Sequence, residues 1–219
     1  MCNFEELELE PLEEDQWVLD TEYVRSFIEQ VKATIDAEPS AEAACEALRP
    51  AFTELLSRRD WLPEEYARDV EASGMGGGIG QWLLYRSADR SLSLFSLVVP
   101  PGQKTPIHDH LAWGLIGIYR GNQDEEIYRP GDGVIELVRR RPLDPGDHYV
   151  LLPPLDDVHC VRTTSDVTSV SIHLLANDTG CVARHTYDEH TGEARPFRSG
   201  YANAECRAGE TVTTAADCD

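Results

Sequence analysis

Residues 101–110, PGQKTPIHDH, contain two histidines at strand spacing, His108 and His110. In a β-strand, residues two apart point to the same face, so both imidazoles can reach one metal ion while Asp109 points away. Neutral imidazole suits Zn, Cu, Fe and Ni better than Mg or Ca. The stretch therefore predicts a transition-metal site on a strand, and the alternative is that two histidines in so short a motif fall together by chance.

Glycines on both sides of the histidines extend the pattern. Gly102 precedes His108 by six residues, and Gly121 follows His110 by eleven. This resembles the first motif of the cupin superfamily, G-x5-H-x-H-x3,4-E-x6-G. The glutamate position of that motif, counted back from Gly121, holds Gly114. The resemblance therefore implies that the third ligand comes from another part of the chain.

Residues 145–159 offer a candidate for that third ligand. They run from a turn-prone Pro-Gly-Asp through an apolar strand and a Pro-Pro loop to His159, the usual layout of the second cupin motif. The resemblance thus implies a metal site of three neutral histidines, which are His108, His110 and His159.

The spacing of apolar residues changes from helical to alternating near residue 80. Helical spacing from Thr21 and again after Ser40 predicts two amphipathic helices, the second kinked or split at Pro50. Alternation then predicts strands at 82–86, 91–99, 113–120, 124–128, 134–140, 147–152, 159–163 and 169–175. Short strands at this spacing indicate a mainly β protein, an antiparallel double-sheet jelly roll. The motif resemblance implies the cupin form of this fold, a double-stranded β-helix, with the helices at its N-terminal side.

The chain of 219 residues suits one barrel domain with added helices. We expect an acidic leader over residues 1–15, a helical segment over 16–80, the barrel over 81–203 and a disordered tail over 204–219.

The net charge of −21 argues against a nucleic-acid or anionic-membrane partner, since both require basic patches. We interpret the acidity as a means of solubility or adaptation to salt. The six cysteines include no CxxC pair and follow no secretory signal, which predicts reduced thiols in a cytoplasmic protein. They are Cys2, Cys45, Cys160, Cys181, Cys206 and Cys218. No apolar run approaches the roughly 20 residues of a membrane span.

Several further pieces match a narrower family. They are PIHDH (106–110), WG (113–114), SVSIH (169–173), NDTG (177–180) and RPFRSGY (195–201). Together they resemble the cysteine dioxygenase type I family over about residues 60–203. The resemblance is closest to its bacterial branch, which oxidises 3-mercaptopropionate and related thiols.

This resemblance implies iron(II) on the three histidines and an outer relay that begins with Ser171 and His173. The third relay member in the family is a tyrosine, and Leu175 stands in its place. Leucine cannot donate a hydrogen bond, so a hydroxyl would have to come from elsewhere. The candidates are Tyr119, Tyr128, Tyr149, Tyr187 and Tyr201. Gly114 takes the place of the cysteine that cross-links to the relay tyrosine in mammalian members.

The resemblance also implies how a substrate carboxylate is held. An arginine after the relay corresponds to Arg184, and a guanidinium can bind a carboxylate through two parallel hydrogen bonds. A second anchor comes from the hairpin before the HxH strand, where Gln81 and Arg86 are both candidates.

The expected function is that of an iron(II)-dependent thiol dioxygenase, which converts a small carboxylated thiol and O2 to a sulfinate. Three neutral ligands leave the metal doubly positive, with open positions for a thiolate and dioxygen. Three alternatives stay open: a related iron oxygenase whose substrate or outcome differs because of Leu175, a cupin isomerase or lyase with another divalent metal, and a non-enzymatic ligand-binding cupin. The sequence does not indicate the oligomeric state.

Overall fold

The computed structural model describes residues 9–71, 74–131 and 133–207. Within these ranges the helices are α1 (Glu22–Ala37), α2 (Ala41–Ser57) and a 3-10 helix, Glu64–Tyr66. The first six strands are β1 (Gln16–Trp17), β2 (Gly80–Arg86), β3 (Ser93–Val99), β4 (Ile107–His108), β5 (Gly114–Arg120) and β6 (Gln123–Gly131). The others are β7 (Val134–Leu143), β8 (His148–Leu151), β9 (His159–Thr163), β10 (Ser169–Leu175), β11 (Arg184–Tyr187) and β12 (Ala194–Phe197).

The strands form two antiparallel sheets of six strands each. The first has the order β1-β2-β3-β10-β5-β8 and the second the order β12-β11-β4-β9-β6-β7. Each sheet therefore mixes strands that are distant in sequence, as a double-stranded β-helix requires. The predicted fold class is confirmed. The predicted strands are present with ends shifted by a few residues, whereas β1, β11 and β12 were not predicted.

Each helix begins directly after a residue whose side chain caps its first turn. Thr21 accepts a hydrogen bond from the Val24 amide, and Ser40 accepts one from the Ala43 amide. Helix α2 packs on β5 at Gly117, where a Cβ atom would lie 2.4 Å from Leu56 Cδ1. The helices thus cover the outer face of the first sheet. No helix in the described ranges is both long and apolar enough to cross a membrane.

The expected break at Pro50 is wrong, because α2 runs without interruption from Ala41 to Ser57. Pro50 lies on the exposed side of the helix, and so does Glu46 one turn before it. Proline removes the amide that would bind the Glu46 carbonyl, and at this surface water can replace it. Because the missing hydrogen bond is on the exposed side, the helix continues past Pro50 with its apolar face against the sheet.

Two segments outside the predicted barrel, 81–203, contact its strands. Strand β1, within the predicted helical segment 16–80, pairs with β2, so the sheet begins before the helices. Residues 204–207 of the predicted tail pack against the barrel, where Ala204 and Cys206 are buried and the Glu205 carbonyl accepts a hydrogen bond from Arg86. Residues 1–8 of the leader and 208–219 of the tail lie outside the described residues.

The prediction of reduced thiols is wrong for one pair, since Cys181 and Cys206 form a disulfide. They are 25 residues apart in sequence, so no short motif announces them, but the fold brings their Cα atoms within 5.1 Å. Cys45 and Cys160 are buried free thiols. The other two cysteines lie outside the part of the chain that the structure describes.

Candidate metal centre

The three predicted histidines meet inside the barrel. His108 on β4 is paired directly with His159 on β9, and His110 follows just after β4 ends. One ring nitrogen from each lies within 4.8 Å of the other two, and all three side chains are buried. This group can hold a metal ion.

The Nδ1 atom of each histidine lies beside an oxygen that can only accept a hydrogen bond. His108 Nδ1 is 2.8 Å from the Pro106 carbonyl, and His110 Nδ1 is 3.2 Å from Asp157 Oδ1. His159 Nδ1 is 2.7 Å from Glu125 Oε1. Since each Nδ1 then carries the proton, each Nε2 presents a lone pair, which is the usual arrangement of metal-binding histidines.

The electrostatics also favour the ligand form of the imidazole. Burial, followed by the charge of Arg184 and then the neighbouring histidines, holds the pKa of His108 well below its usual range. Burial, His159 and Arg184 do the same to the pKa of His110. Both rings are therefore neutral at pH 7, and a neutral ring can bind a cation.

The side chain of Asp109 points away from those of His108 and His110, as the strand spacing predicts. Its carboxylate accepts hydrogen bonds from the His185 amide at 2.7 Å and from the Tyr187 hydroxyl at 3.0 Å. Its backbone carbonyl accepts a hydrogen bond from Arg184 Nη1 at 2.6 Å. The residue between two candidate ligands therefore fixes β11, the strand that carries Arg184.

Arg184 is a buried cation next to the histidines, with only 1% of its surface exposed. Besides the Asp109 carbonyl, it donates from Nη2 to Ser199 Oγ at 2.8 Å, while Nε is buried and has no partner. Burial, against the favourable charge of Asp109, lowers the pKa of Arg184 to about 10. The side chain thus stays charged at pH 7 and keeps donor capacity for an anion.

The predicted relay residues Ser171 and His173 contact each other on β10. The Ser171 hydroxyl lies 2.9 Å from His173 Nε2, and the His173 ring stacks on Phe95. Burial, then the charges of His159 and Arg184, lower the pKa of His173 to about 3. His173 Nδ1 is buried without a partner, so a polar atom of the pair remains available to a ligand.

The two alternative second anchors have different surroundings. Gln81 lies opposite Leu97, which in turn lies opposite Ser171, so the three side chains face the same side of the sheet. Gln81 Nε2 is buried and has no partner. In Arg86, by contrast, the nitrogens bind Gln16, Asp178 and the Glu205 carbonyl. Gln81 is therefore the alternative with a free donor.

Leu175 is fully buried on the same face of β10 as His173. A Cβ atom on Gly114, the residue opposite, would lie 2.9 Å from Leu175 Cδ2. Leu175 belongs to an apolar cluster that also contains Phe95, Tyr149 and Tyr201. The position of the family's relay tyrosine is thus an apolar wall.

Of the five candidate tyrosines for the missing hydroxyl, Tyr149 faces the same side of the first sheet as His173. Its hydroxyl is buried beside the Glu125 carboxylate, and its ring lies in a cross-strand row with Ile116 and His173. The others have other surroundings: Tyr128 binds Glu126, Tyr187 binds Asp109, Tyr201 accepts from the Gly180 amide, and Tyr119 packs on Trp61.

Sequence reasoning missed the two carboxylates behind the histidines, Glu125 and Asp157. Glu125 is fully buried on β6, and Asp157 accepts hydrogen bonds from the amides of His110 and Leu111. The only sequence signal for Glu125 is an inward position in a predicted strand, where a charged residue is out of place. Asp157 stands in a loop and carries no comparable signal.

No protein-family model matches the chain. Among solved structures, it is similar to an uncharacterized conserved protein with a double-stranded β-helix domain from Klebsiella pneumoniae, with 14% identity, 65% of this chain and 100% of that chain covered, and a TM-score of 0.40. It is also similar to a cupin 2 domain-containing protein from Halorhodospira halophila, with 16% identity, 64% and 79% covered, and a TM-score of 0.36.

A third similar structure is the oxalate decarboxylase of Lactobacillus farciminis in a formate complex. The identity is 16%, the TM-score is 0.38, and the match covers 50% of this chain and 30% of that chain. The chain thus spans under a third of the decarboxylase. Because these identities and TM-scores are low, the fold rests on the strand order of this chain, and the function rests on its site.

Proposed function

We propose that this protein is an iron(II)-dependent thiol dioxygenase, which oxidises a small carboxylated thiol to its sulfinate with O2. The observation that carries the proposal is the joint burial of three metal-competent histidines and one arginine with an unpartnered nitrogen. Iron(II) held by His108, His110 and His159 would supply open positions for a thiolate and O2 and the redox chemistry of sulfur oxidation.

In this proposal Arg184 binds the substrate carboxylate. Its guanidinium is charged, buried and fixed by the Asp109 carbonyl and by Ser199, so it binds an anion without first being ordered. The free Nε2 of Gln81 offers a second donor. A thiol whose carboxylate carbon is three bonds from sulfur, such as 3-mercaptopropionate or cysteine, has the matching charge.

Ser171 and His173 orient polar atoms near the reacting thiol. His173 is neutral, since its pKa is about 3, and its Nδ1 is the atom without a partner. The Ser171 hydroxyl can donate to Nε2, which leaves the proton of His173 on Nδ1. The pair then holds a proton at a defined atom inside the barrel.

One observation favours a second candidate, a related iron oxygenase with another substrate or product. Leu175 and Gly114 form an apolar wall where the resembled family places a tyrosine. Without a hydrogen-bond donor at this wall, the outcome of oxygen chemistry can differ from that of the family.

The proposal is tested by metal analysis of the purified protein, followed by oxygen uptake and product analysis with a panel of thiols. We expect iron to support uptake with 3-mercaptopropionate or cysteine and to yield a sulfinate. His159→Ala should lose most of the metal while the barrel stays folded by circular dichroism, because it removes one of three ligands and leaves the strand in place. A protein that retains full metal occupancy in His159→Ala, or consumes no oxygen with any thiol, contradicts the proposal.

A further inference from the structure

Glu125 on β6 connects His159 on the neighbouring strand β9 to Arg141 on β7, the neighbouring strand on its other side. The side chain points inward from β6 and is 0% exposed. Its Oε1 accepts the hydrogen bond from His159 Nδ1, and its Oε2 accepts a 2.7 Å bond from Arg141 Nε and a second bond from Nη2 of the same guanidinium. Both oxygens of a fully buried carboxylate are thus occupied, one towards the histidines and one towards β7.

The other two histidines have weaker acceptors. His108 donates to the neutral carbonyl of Pro106. His110 lies 3.2 Å from Asp157, whose carboxylate is shared with two backbone amides. Only His159 makes a short hydrogen bond to a carboxylate that a guanidinium also holds. The three ligands are therefore chemically unequal.

Arg141 is also held by Tyr149, a residue of the first sheet. Its guanidinium lies over the Tyr149 ring, 4.0 Å from the centroid, and Tyr149 stands in the cross-strand row of Ile116 and His173. Arg141 thus bridges β7 and β8, the strands at the edges of the two sheets. The Tyr149 ring and the Glu125 carboxylate hold the Arg141 guanidinium from two sides. Because the guanidinium is fixed in this way, it keeps the Glu125 carboxylate in one orientation.

We propose that Glu125 is a positioning residue for the metal, which acts through His159 and is set by Arg141. The hydrogen bond fixes the His159 ring with Nε2 towards the metal and increases the electron density that this ligand donates. Removing the carboxylate should weaken metal binding and disfavour the oxidised ion more than the reduced one. This inference rests on the proposed metal site, and it adds a residue that determines its affinity and redox potential.

The neighbouring Glu126 offers a matched control. It carries the same charge on the same strand but points to the other face, where it binds Tyr128, Lys104 and Arg140. A change at Glu126 therefore alters the net charge of the protein equally, without touching His159.

The test uses the full chain and compares wild type, Glu125→Gln, Glu126→Gln and Arg141→Met. Cobalt(II) and iron(II) affinities are measured by competition with a chelator, and the midpoint potential of the bound iron is measured by redox titration. Glu125→Gln should weaken metal binding by about 10- to 100-fold. It should also raise the potential, by about 59 mV if affinity for the ferric ion falls tenfold more than for the ferrous ion. Glu126→Gln should leave both quantities near wild type.

The variant Arg141→Met tests whether Glu125 acts on the metal site through its charge and orientation or only fills space in the core. Removal of the guanidinium leaves the Glu125 charge uncompensated beside His159, so the potential should fall, opposite to Glu125→Gln. If Glu125→Gln fails to fold, this variant still tests the inference by the sign of its shift. Wild-type affinity and potential in Glu125→Gln, or shifts of equal sign in both variants, would overturn the inference. Absence of metal binding in the wild type would instead overturn the proposed function and this inference with it.

Discussion

In the proposed function, the unpartnered Nε of Arg184 is the atom that a substrate carboxylate would contact. The other two guanidinium nitrogens already hold the Asp109 carbonyl and Ser199. An anion that approaches Nε meets a charge that is fixed and shielded from water. Two guanidinium nitrogens of Arg184 thus hold the surrounding structure, and the third has no partner and is free for a ligand.

Arg184→Leu should raise the KM for a carboxylated thiol by about 10- to 200-fold, because a lost charge-assisted bond is worth about 1.5 to 3 kcal/mol. The KM for the neutral thiol 2-mercaptoethanol should change far less. Steady-state oxygen uptake with both substrates measures the difference, with metal content as a check on folding. Equal losses for the two thiols would mean that Arg184 acts only through Asp109 and Ser199.

Leu175→Tyr should change the coupling of oxygen uptake to sulfinate without changing the metal content. A donor placed at developing charge is worth on the order of 3 kcal/mol. Leu175→Phe is the matched control, because it adds the ring without the hydroxyl. The larger ring meets the backbone beside Gly114, so both variants should lose about 1 to 3 kcal/mol of stability. Identical coupling in the two variants would show that this hydroxyl does not face the reacting centre.

Strand β6 places neighbouring carboxylates on opposite faces, with Glu125 inside the barrel and Glu126 outside it. Burial opposes ionisation of both. Hydrogen bonds from Tyr128, Lys104 and Arg140 nevertheless lower the pKa of Glu126 to about 2. The hydrogen bond from His159, together with Arg141, lowers the pKa of Glu125 to about 2.

These two carboxyls predict a loss of stability in acid. A lowered folded-state pKa stabilises the protein above the ordinary value of 4.5, and the stabilisation is lost as pH falls towards 2, because the unfolded chain binds protons first. Urea unfolding of the metal-free protein should therefore show a steeper decline between pH 4.5 and 2 than Glu126→Gln shows. Parallel curves for wild type and variant would contradict the prediction for Glu126.

At the scale of the whole molecule, the segment after β12 closes one end of the barrel. Tyr201, Ala204 and Cys206 join the apolar cluster around Leu175. Arg90 pairs with Asp178 and also donates to the Cys206 carbonyl, while the Cys181–Cys206 disulfide links the segment covalently to the loop after β10. The segment from Tyr201 to Cys206 thus packs against the apolar wall around Leu175.

Removal of the disulfide in Cys181→Ser/Cys206→Ser should lower the free energy of unfolding by about 2 to 4 kcal/mol, since the bond closes a loop of 25 residues. Chemical denaturation of the wild type with and without a reducing agent should give a similar difference. The double variant should not respond to the reducing agent. A wild-type curve that the reducing agent leaves unchanged would contradict the prediction.

The sequence by itself determined the fold class, and it predicted the three histidines that can hold a metal ion and the pair Ser171 and His173. Alternation and turn residues are local properties, and they specify strands because side chains in a strand face opposite sides in turn. Residues at positions i and i+2 of a strand lie on the same face for the same local reason. This applies to His108 and His110 and to Ser171 and His173. The relation of His159 to this pair came from a resemblance between motifs, since spacing alone does not bring distant strands together.

Only the tertiary structure decided which distant groups meet. The Cys181–Cys206 bond, the contact of Glu125 with His159 and Arg141, and the different surroundings of Gln81 and Arg86 all depend on the strand order of two sheets. Pro50 stays within α2 because its face of the helix is exposed, which the helical pattern alone does not reveal. Pairing between strands that are far apart in sequence depends on the burial of the whole core, and no local pattern records it.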